Sequence, residues 1–401
     1  MKVLMFGWEF PPFNSGGLGT ACYGLTKGLY NRGTDVTFVL PKANQSMKAD
    51  FVKLISADLK SIQVNSLLKG YMTTESYKKE LLVSNSGVPG LYGQNLIEEV
   101  RRFAEKAKII ASLEEHDLIH AHDWLTYLAG IEAKNVSKKP LVLHIHATEF
   151  DRCGENVNKE VYDIEKYGFD CADHIIAVSN FTKNMVVTHY GVDPRKITVV
   201  HNAVEFNDNN FSNEKFRIKE NDKIVLFLGR ITMQKGPDYF IYAAKKALEL
   251  DPNIKFIMAG TGDMERFAIE KVAEFGISDK FLFTGFLRGK DIDRAYQMAD
   301  LYVMPSVSEP FGITPLEAMR NNTPVIISKQ SGVSEVVNHC LKVDFWDIHQ
   351  LVNKMIGVLK YQELNECLKH HGAMEVRKFN WNIPAEKCIE VYNRVLGETH
   401  G

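Results

Sequence analysis

The sequence has no long apolar run. Nothing in it approaches the ~20 consecutive apolar residues of a membrane-spanning helix. It has no paired-cysteine motif either. Cys22, Cys153, Cys171, Cys340, Cys367 and Cys388 are scattered without C-x-x-C spacing, so neither a zinc knuckle nor a thioredoxin-like site is supported, and scattered thiols suit a reducing compartment. It lacks a strong charge of one sign: the formal net charge is −2, and no basic field calls for nucleic acid. The opening "MKVLMFGWEFPP" is too short and too soon broken by proline for a secretory signal. These absences predict a cytoplasmic protein with no nucleic-acid partner. Residues 42–108 carry eleven Lys and Arg against seven Asp and Glu, a surplus of four. That surplus reads as a solvated face, with peripheral membrane contact as the less favoured alternative.

What is present is an ordinary globular composition, 45% apolar and 24% charged, over 401 residues. That length fits two domains of about 150–200 residues each. Short apolar runs alternate with helical spacing: "KVLMFG", "DVTFVLP", "DLIHAH", "PLVLHIHA", "ADHIIAVS" and "ITVVHNAV" in the first half. A polar, Asn-rich stretch from Glu205 to Asp222 reads as a linker. The alternation then restarts with "KIVLFLG", "IKFIMAG", "KFLFTGF", "LYVMPS" and "PVIIS", and a final amphipathic helix closes the chain. Strands alternating with helices twice over predict an α/β protein of two Rossmann-like parallel-sheet domains facing across a deep cleft. The expected boundaries are 1–204 plus 383–401 for one domain and 205–382 for the other. Ligands of such sheets bind beyond the carboxyl ends of the strands, so the loops there are where chemistry is sought.

Gly16, Gly17 and Gly19 follow the first strand and open a helix. With Cys22 in the third place, the dinucleotide fingerprint G-x-G-x-x-G is missing. The stretch reads either as a tight turn or as a phosphate cradle at a helix N-terminus. "GRITMQKG" puts Arg230 and Lys235 in one loop, where two cations can clamp a diphosphate or merely face solvent. "MAGTGDM" is a further glycine-rich turn of the same ambiguous kind. His120 and His122, like His144 and His146, alternate along strands, which puts each pair on one face. No Cys or Glu spacing completes a metal site, so the expected roles are hydrogen bonding at the cleft, or packing for His120 and His144. Asp291 and Asp293 have a D-x-D spacing that reads as a helix cap rather than an ion site. In "SEPFGITPLEAM", Thr314 reads as an N-cap, Pro315 as the first helical residue and Glu317 as the reaching carboxylate of a capping box. That leaves Glu309 and Gly312 without a structural reason.

Together, "GWEFPPFNSGGLG", "HAHDWLTYLAG", "LHIHATEF", "AVSNFTK", "VVHNAV", "GRITMQKG", "AGTGDM", "FTGFL" and "SEPFGITPLEAM" resemble the retaining nucleotide-sugar glycosyltransferases of the GT-B type, family 4, with a leaning to glycogen and starch synthases. The resemblance covers nearly the whole chain, and the last stretch is its E-x7-E element. It implies that Gly16 and Gly17 meet the donor diphosphate and that Arg230 and Lys235 neutralise it. It also implies that Glu309 faces the donor sugar, that Gly312, Ile313 and Thr314 offer backbone N–H groups, and that Glu317 holds the ribose. His146 matches the histidine beside the transferred sugar, and Asn202 matches an asparagine bordering the cleft. By the same resemblance the donor is UDP- or ADP-glucose, the acceptor an α-glucan, and no metal or other cofactor takes part. A lipid-linked or surface glycan, or a small sugar, is the alternative acceptor; a nucleotide-sugar epimerase and a non-catalytic glycan binder are remoter readings. Two departures leave the donor base open. Asn14 and Ser15 stand where bacterial glycogen synthases have "KT", and Ser331 precedes Gly332 where the family has a glycine pair.

Overall fold

A computed structural model describes residues 1–11, 16–42, 49–57, 96–206 and 222–397. Asn14 and Ser15, most of the lysine-rich stretch (43–48 and 58–95) and all but the ends of the linker (207–221) lie outside the described residues. The chain forms two compact units. Unit 1 comprises Met1–Phe150, Gly154–Asn202 and the segment from Trp381 onward; unit 2 comprises Asp151–Cys153 and Ala203–Asn380.

Unit 1 holds β1 (Lys2–Phe6), β2 (Asp35–Leu40), β3 (Lys53–Ser56), β4 (Leu118–His122), β5 (Leu141–Ile145), β6 (His174–Ala177) and β7 (Ile197–Val199). They form one parallel sheet in the order β3-β2-β1-β4-β5-β6-β7. Every residue of β4, β5 and β6 is buried, which is why these strands read as near-continuous apolar runs: helices cover both faces. The C-terminal helix Asn382–Leu396 packs on the first helix, Gly17–Asn31. Arg32 grips Glu386 through two N–H groups at 3.1 and 3.2 Å, and Tyr392 reaches the sheet, where its hydroxyl lies 2.6 Å from His120 Nδ1.

Unit 2 holds β8 (Lys223–Leu228), β9 (Ile254–Ala259), β10 (Phe281–Gly285), β11 (Leu301–Met304), β12 (Val325–Ser328) and β13 (Leu341–Val343), again all parallel, in the order β10-β9-β8-β11-β12-β13. Val225, Phe227, Phe240, Met258, Leu301 and Met355 belong to a core between this sheet and the helices Pro237–Leu250 and Ile348–Lys360. Each unit repeats the doubly wound 3-2-1-4-5-6 order, with unit 1 adding a seventh strand at one edge. The order reverses between β1 and β4 in unit 1 and between β8 and β11 in unit 2. The crevice outside the carboxyl ends of those strand pairs is where such sheets bind ligands. Two short edge strands, β3 and β13, were not expected from the sequence.

Candidate functional site

In unit 1 the loop after β1 delivers Gly16 and Gly17 to the start of the first helix. Gly16 is its N-cap; among the described residues no side-chain cap is made there, and no acidic residue sits in the first turn. A Cβ on Gly17 would meet nothing within 4 Å among the described residues. Three other helices are capped by side chains: Asn158 accepts from Glu160 N–H, Ser179 from Thr182 N–H, Asp347 from Gln350 N–H; those opening at Asp123, Gly236, Met264, Gly289, Tyr361 and Trp381 are not, among the described residues. An end without such a cap keeps its N–H dipoles for an anion.

Next to it, the parallel register of β4 and β5 sets His122 opposite His144, and four imidazoles lie on one face. His120, His122 and His144 are 0–2% exposed; His146, one residue past β5, is also buried, at 8% exposed. Neighbouring rings stack, with centroids 4.4 Å apart for His120–His122 and for His144–His146. Burial pushes His146 down from the ordinary 6.5 to about 3, and burial with mutual repulsion holds the other three well below 6.5. The cluster is therefore neutral at pH 7. Nitrogens of His120, His122 and His144 lie within 4.8 Å of one another, a grouping that could hold an ion. The ring planes, however, differ by only 18–28°. Their in-plane lone pairs run side by side, whereas an ion such as zinc needs them to converge at about 2.0–2.1 Å.

Asp123 ends β4 and opens the helix Trp124–Ser137 at φ 58°, ψ 167°, a conformation that costs a non-glycine residue about 1–3 kcal/mol. Its carboxylate accepts the backbone N–H of His146 at 2.6 Å and that of Ala147 at 3.3 Å. His122 Nδ1 lies 2.9 Å from His146 Nε2. Sequence reading gave neither His122 nor Asp123 a part in placing His146; the "HD" pair at a strand end was the available signal. Asn202 is buried three residues past the edge strand β7, and two strands separate it from β4.

In unit 2 the loops after β8 and β11 interlock. Arg230 donates to the Gln234 side-chain oxygen at 3.1 Å, and the Gln234 carbonyl accepts Val307 N–H at 2.9 Å. Gln234, only 4% exposed, thus ties the cationic loop to the acidic one, a role no sequence period announces. Gly260 and Gly262 belong to the same arrangement. A Cβ there would lie 1.8 Å from the Gly229 carbonyl oxygen and 2.1 Å from that of Ile231. The "GTG" turn is therefore glycine because the β8 loop lies directly against it, and it supports Arg230 from behind.

Lys235 and Glu309 form an ion pair, and Ser306 Oγ is 3.2 Å from the same Glu309 oxygen. Glu309 is 5% exposed. The Ser331–Gly332 turn straps its backbone: Glu309 N–H donates to Gln330 O, Gly332 N–H to Glu309 O and Val333 N–H to Phe311 O, at 2.7–2.9 Å.

The expected capping box is corrected here. Gly312, not Thr314, is the N-cap of the helix Ile313–Arg320, at φ 97° and ψ 86°, so the helix begins two residues before Pro315. Glu317 does not reach back; it accepts from Tyr296 O–H at 3.1 Å. Burial raises the Glu317 carboxyl, against the opposing pull of Arg320. Thr314 Oγ1 is 2.8 Å from the Tyr302 hydroxyl. As at Gly16, among the described residues no side chain caps this first turn, and no acid enters it. Leu228, Gly229, Lys235, Tyr302, Ser306 and Thr314 line a narrow cavity of about 20 Å³ at this place. A roomier groove of about 660 Å³ lies between Tyr242, Phe275 and Trp346 and contains none of the motif residues. It is geometry at the strand order reversal, not size, that marks the site. Asp291 and Asp293 are not caps either: Gly289 is the N-cap, and the two carboxylates pair with Arg294 and Arg320.

Residues 2–196 match the starch synthase catalytic domain, and residues 208–373 match the group 1 glycosyl transferases. An uncharacterized glycosyltransferase of Methanocaldococcus jannaschii is 30% identical over 98% of both chains. A glycogen synthase of Mycobacterium tuberculosis is 26% identical over 84% of this chain and 80% of its own. An Escherichia coli UDP-Gal:alpha-D-GlcNAc-diphosphoundecaprenol alpha-1,3-galactosyltransferase is also 26% identical, over 74% and 80%. Among solved structures, sucrose-phosphate synthase from Thermosynechococcus elongatus superposes with a TM-score of 0.76 at 19% identity, covering 99% of this chain and 100% of that one. Anabaena HepE in complex with UDP and glucose superposes with 0.71 at 17%, covering 98% and 100%. The two doubly wound sheets are those of the GT-B fold, and the chain belongs to the glycosyltransferases.

Proposed function

We propose that the protein is a retaining hexosyltransferase of family 4 that moves glucose from UDP- or ADP-glucose to an α-glucan. In this reading unit 2 binds the nucleotide sugar and unit 1 serves the acceptor side. The observation that carries it is the set of groups at the β8/β11 reversal: Arg230, Lys235 and the uncapped N-terminus at Gly312–Thr314, beside the buried carboxylate of Glu309. Breaking a sugar–phosphate bond leaves negative charge on the diphosphate and positive charge at the anomeric carbon. The cations and the helix amides answer the first, so the reaction needs no metal. Glu309 accepts sugar hydroxyls, and Glu317, through the carboxylate oxygen away from Tyr296, accepts those of the ribose. Gly16 and Gly17 add a second helix start toward the diphosphate, His146 stands beside the sugar, and Asn202 borders the acceptor side. The acceptor attacks from the side the phosphate leaves, and the departing phosphate takes its proton.

A second acceptor class has specific support: the undecaprenol-linked galactosyltransferase is as similar to this chain as the glycogen synthase is. One experiment separates the readings. Nucleotide release is measured over a panel of sugar donors, each with maltooligosaccharides, lipid-linked sugars or no acceptor. Glucan elongation from UDP- or ADP-glucose is expected. Release only with lipid-linked acceptors, or transfer only of another sugar, overturns the glucan reading.

A further inference from the structure

We propose that His122 and Asp123 are a positioning pair for His146, with His122 donating from Nδ1–H to His146 Nε2 and so fixing His146 as the Nδ1–H tautomer. The inference deepens the reading above, in which His146 stands beside the transferred sugar.

Two consecutive residues at the end of β4 hold one residue at the end of β5 at two points. Asp123 fixes the backbone by accepting the N–H groups of His146 and Ala147. His122 fixes the ring, with 2.9 Å between nitrogens. The hold comes with backbone strain at Asp123, a left-handed φ on a residue that is not glycine, and strain of this kind concentrates where function needs it.

Only one nitrogen of the His122–His146 bond can carry its proton. His122 Nε2 is buried and has no hydrogen-bond partner among the described residues. Were the proton on His146 Nε2, neutral His122 would have to keep its own on Nε2, as a buried N–H with nothing to receive it. Placing the proton on His122 Nδ1 leaves a bare acceptor there instead, and orphaned buried donors are the rarer of the two. His146 then has Nε2 filled and its proton on Nδ1, so the ring meets a sugar hydroxyl as a donor. The neighbouring rings cannot substitute for His122. His144 stacks face to face on His146 and offers no in-plane contact, and His120 is bonded to Tyr392.

Histidine side-chain ¹⁵N spectroscopy on the whole chain decides the matter without substrate, the His146 signals being those lost in His146→Gln. A protonated Nδ1 and a bare, hydrogen-bonded Nε2 are expected at His146. A proton on Nε2 overturns the proposal. The Asn side-chain nitrogen sits where His Nδ1 does, so His122→Asn keeps the donor and His122→Leu removes it. His122→Leu should mix the His146 tautomers and lower kcat about tenfold to a hundredfold with little change in KM, as expected for a misplaced reacting group. His122→Asn should recover most of the loss and the single tautomer. Equal loss in both variants, or an unmixed tautomer in His122→Leu, also refutes it. A protein that turns over no donor would sink the proposed function while the spectrum still decides this point.

Discussion

Acidification tests the neutral histidine cluster directly. His120, His122, His144 and His146 are held below their ordinary pKa in the folded chain, and His174, near the start of β6, is lowered to about 4. A group with a depressed folded pKa gives the unfolded state the advantage in binding protons, so stability is full above about pH 6.5 and is lost as pH falls toward the folded value. Between pH 7 and about 5.5 each unfolded histidine gains about two-thirds of a proton and its folded counterpart almost none. Each therefore costs a little over ~1 kcal/mol, and the five together about 6 kcal/mol. The folded values of His146, about 3, and His174, about 4, lie under this window, and burial and mutual repulsion hold the other three well below 6.5. Carboxylates, which titrate lower, add little above pH 5.

Against the usual ~5–15 kcal/mol of a domain, that is enough to bring unit 1 near its transition. Trp8, Trp124 and Trp381 are buried in unit 1, whereas Trp346 of unit 2 is 57% exposed. Tryptophan fluorescence in urea therefore follows unit 1, and Glu317, whose raised carboxyl works in the opposite direction, lies in the other unit. His144→Leu should be neutral or stabilising at pH 7, since both ring nitrogens lack partners among the described residues, and should reduce the proton uptake over this window by about two-thirds of a proton. A urea midpoint that does not move between pH 7 and 5.5 would refute the reasoning.

The unit 2 groups give further outcomes. Arg230→Ala should lower kcat/KM about thirtyfold to a thousandfold, the ~2–4 kcal/mol of a lost anion-stabilising donor; unchanged steady-state kinetics would remove Arg230 from its place. Glu309→Gln frees Lys235 from its ion pair, so calorimetry should show nucleoside diphosphate binding more tightly while turnover collapses; weaker binding would mean that Lys235 faces elsewhere. Gly312→Ala must accept φ 97° and put a Cβ 3.1 Å from Glu309 Cγ, so about 1–3 kcal/mol of unit 2 stability should go, read as a lowered thermal midpoint. Treatment with EDTA should leave transfer unchanged, which an assay of nucleotide release before and after chelation checks.

The buried central strands were legible in the sequence because both faces are covered, and residues such as "VLMF" and "IVLF" have no polar partner to alternate with. The strands β3 and β13 were not. They are four and three residues long, partly exposed, and carry lysines at Lys53 and Lys342 that blur any apolar run. The loops carrying Arg230, Lys235 and Glu309 could be placed after strands, since Gly and Pro mark where strands end. What pairs with what at those loops could not be read, because Gln234 meets Arg230 and Val307, Ser306 meets Glu309 and Tyr302 meets Thr314 with no sequence period to announce it. The capping misreading has the same origin. Thr-Pro-x-Glu has the residue types of a cap, but Gly312 can take a left-handed conformation that Thr cannot hold cheaply, and the helix starts there.

That early start has a consequence for the chemistry. A Thr314 N-cap would have spent its hydroxyl, and the Glu317 carboxylate, on the first amides of the helix. With Gly312 in that place no side-chain cap is made at the Ile313 and Thr314 amides among the described residues, Thr314 Oγ1 is left to Tyr302, and Glu317 is held one turn along by Tyr296. The loop after β1 makes the same choice with Gly16. In both units a helix at the strand order reversal is opened by glycine, whereas those at Asn158, Ser179 and Asp347 are capped by side chains; Gly236 and Gly289 open further helices of unit 2 in the same way. A side-chain cap is worth ~1 kcal/mol. Omitting it at the Gly16 and Gly312 ends costs local stability that an anionic ligand can restore, so nucleoside diphosphate should raise the thermal midpoint of unit 2 by more than inorganic sulfate does at matched ionic strength. Equal shifts with both anions would mean that the uncapped amides serve the fold alone.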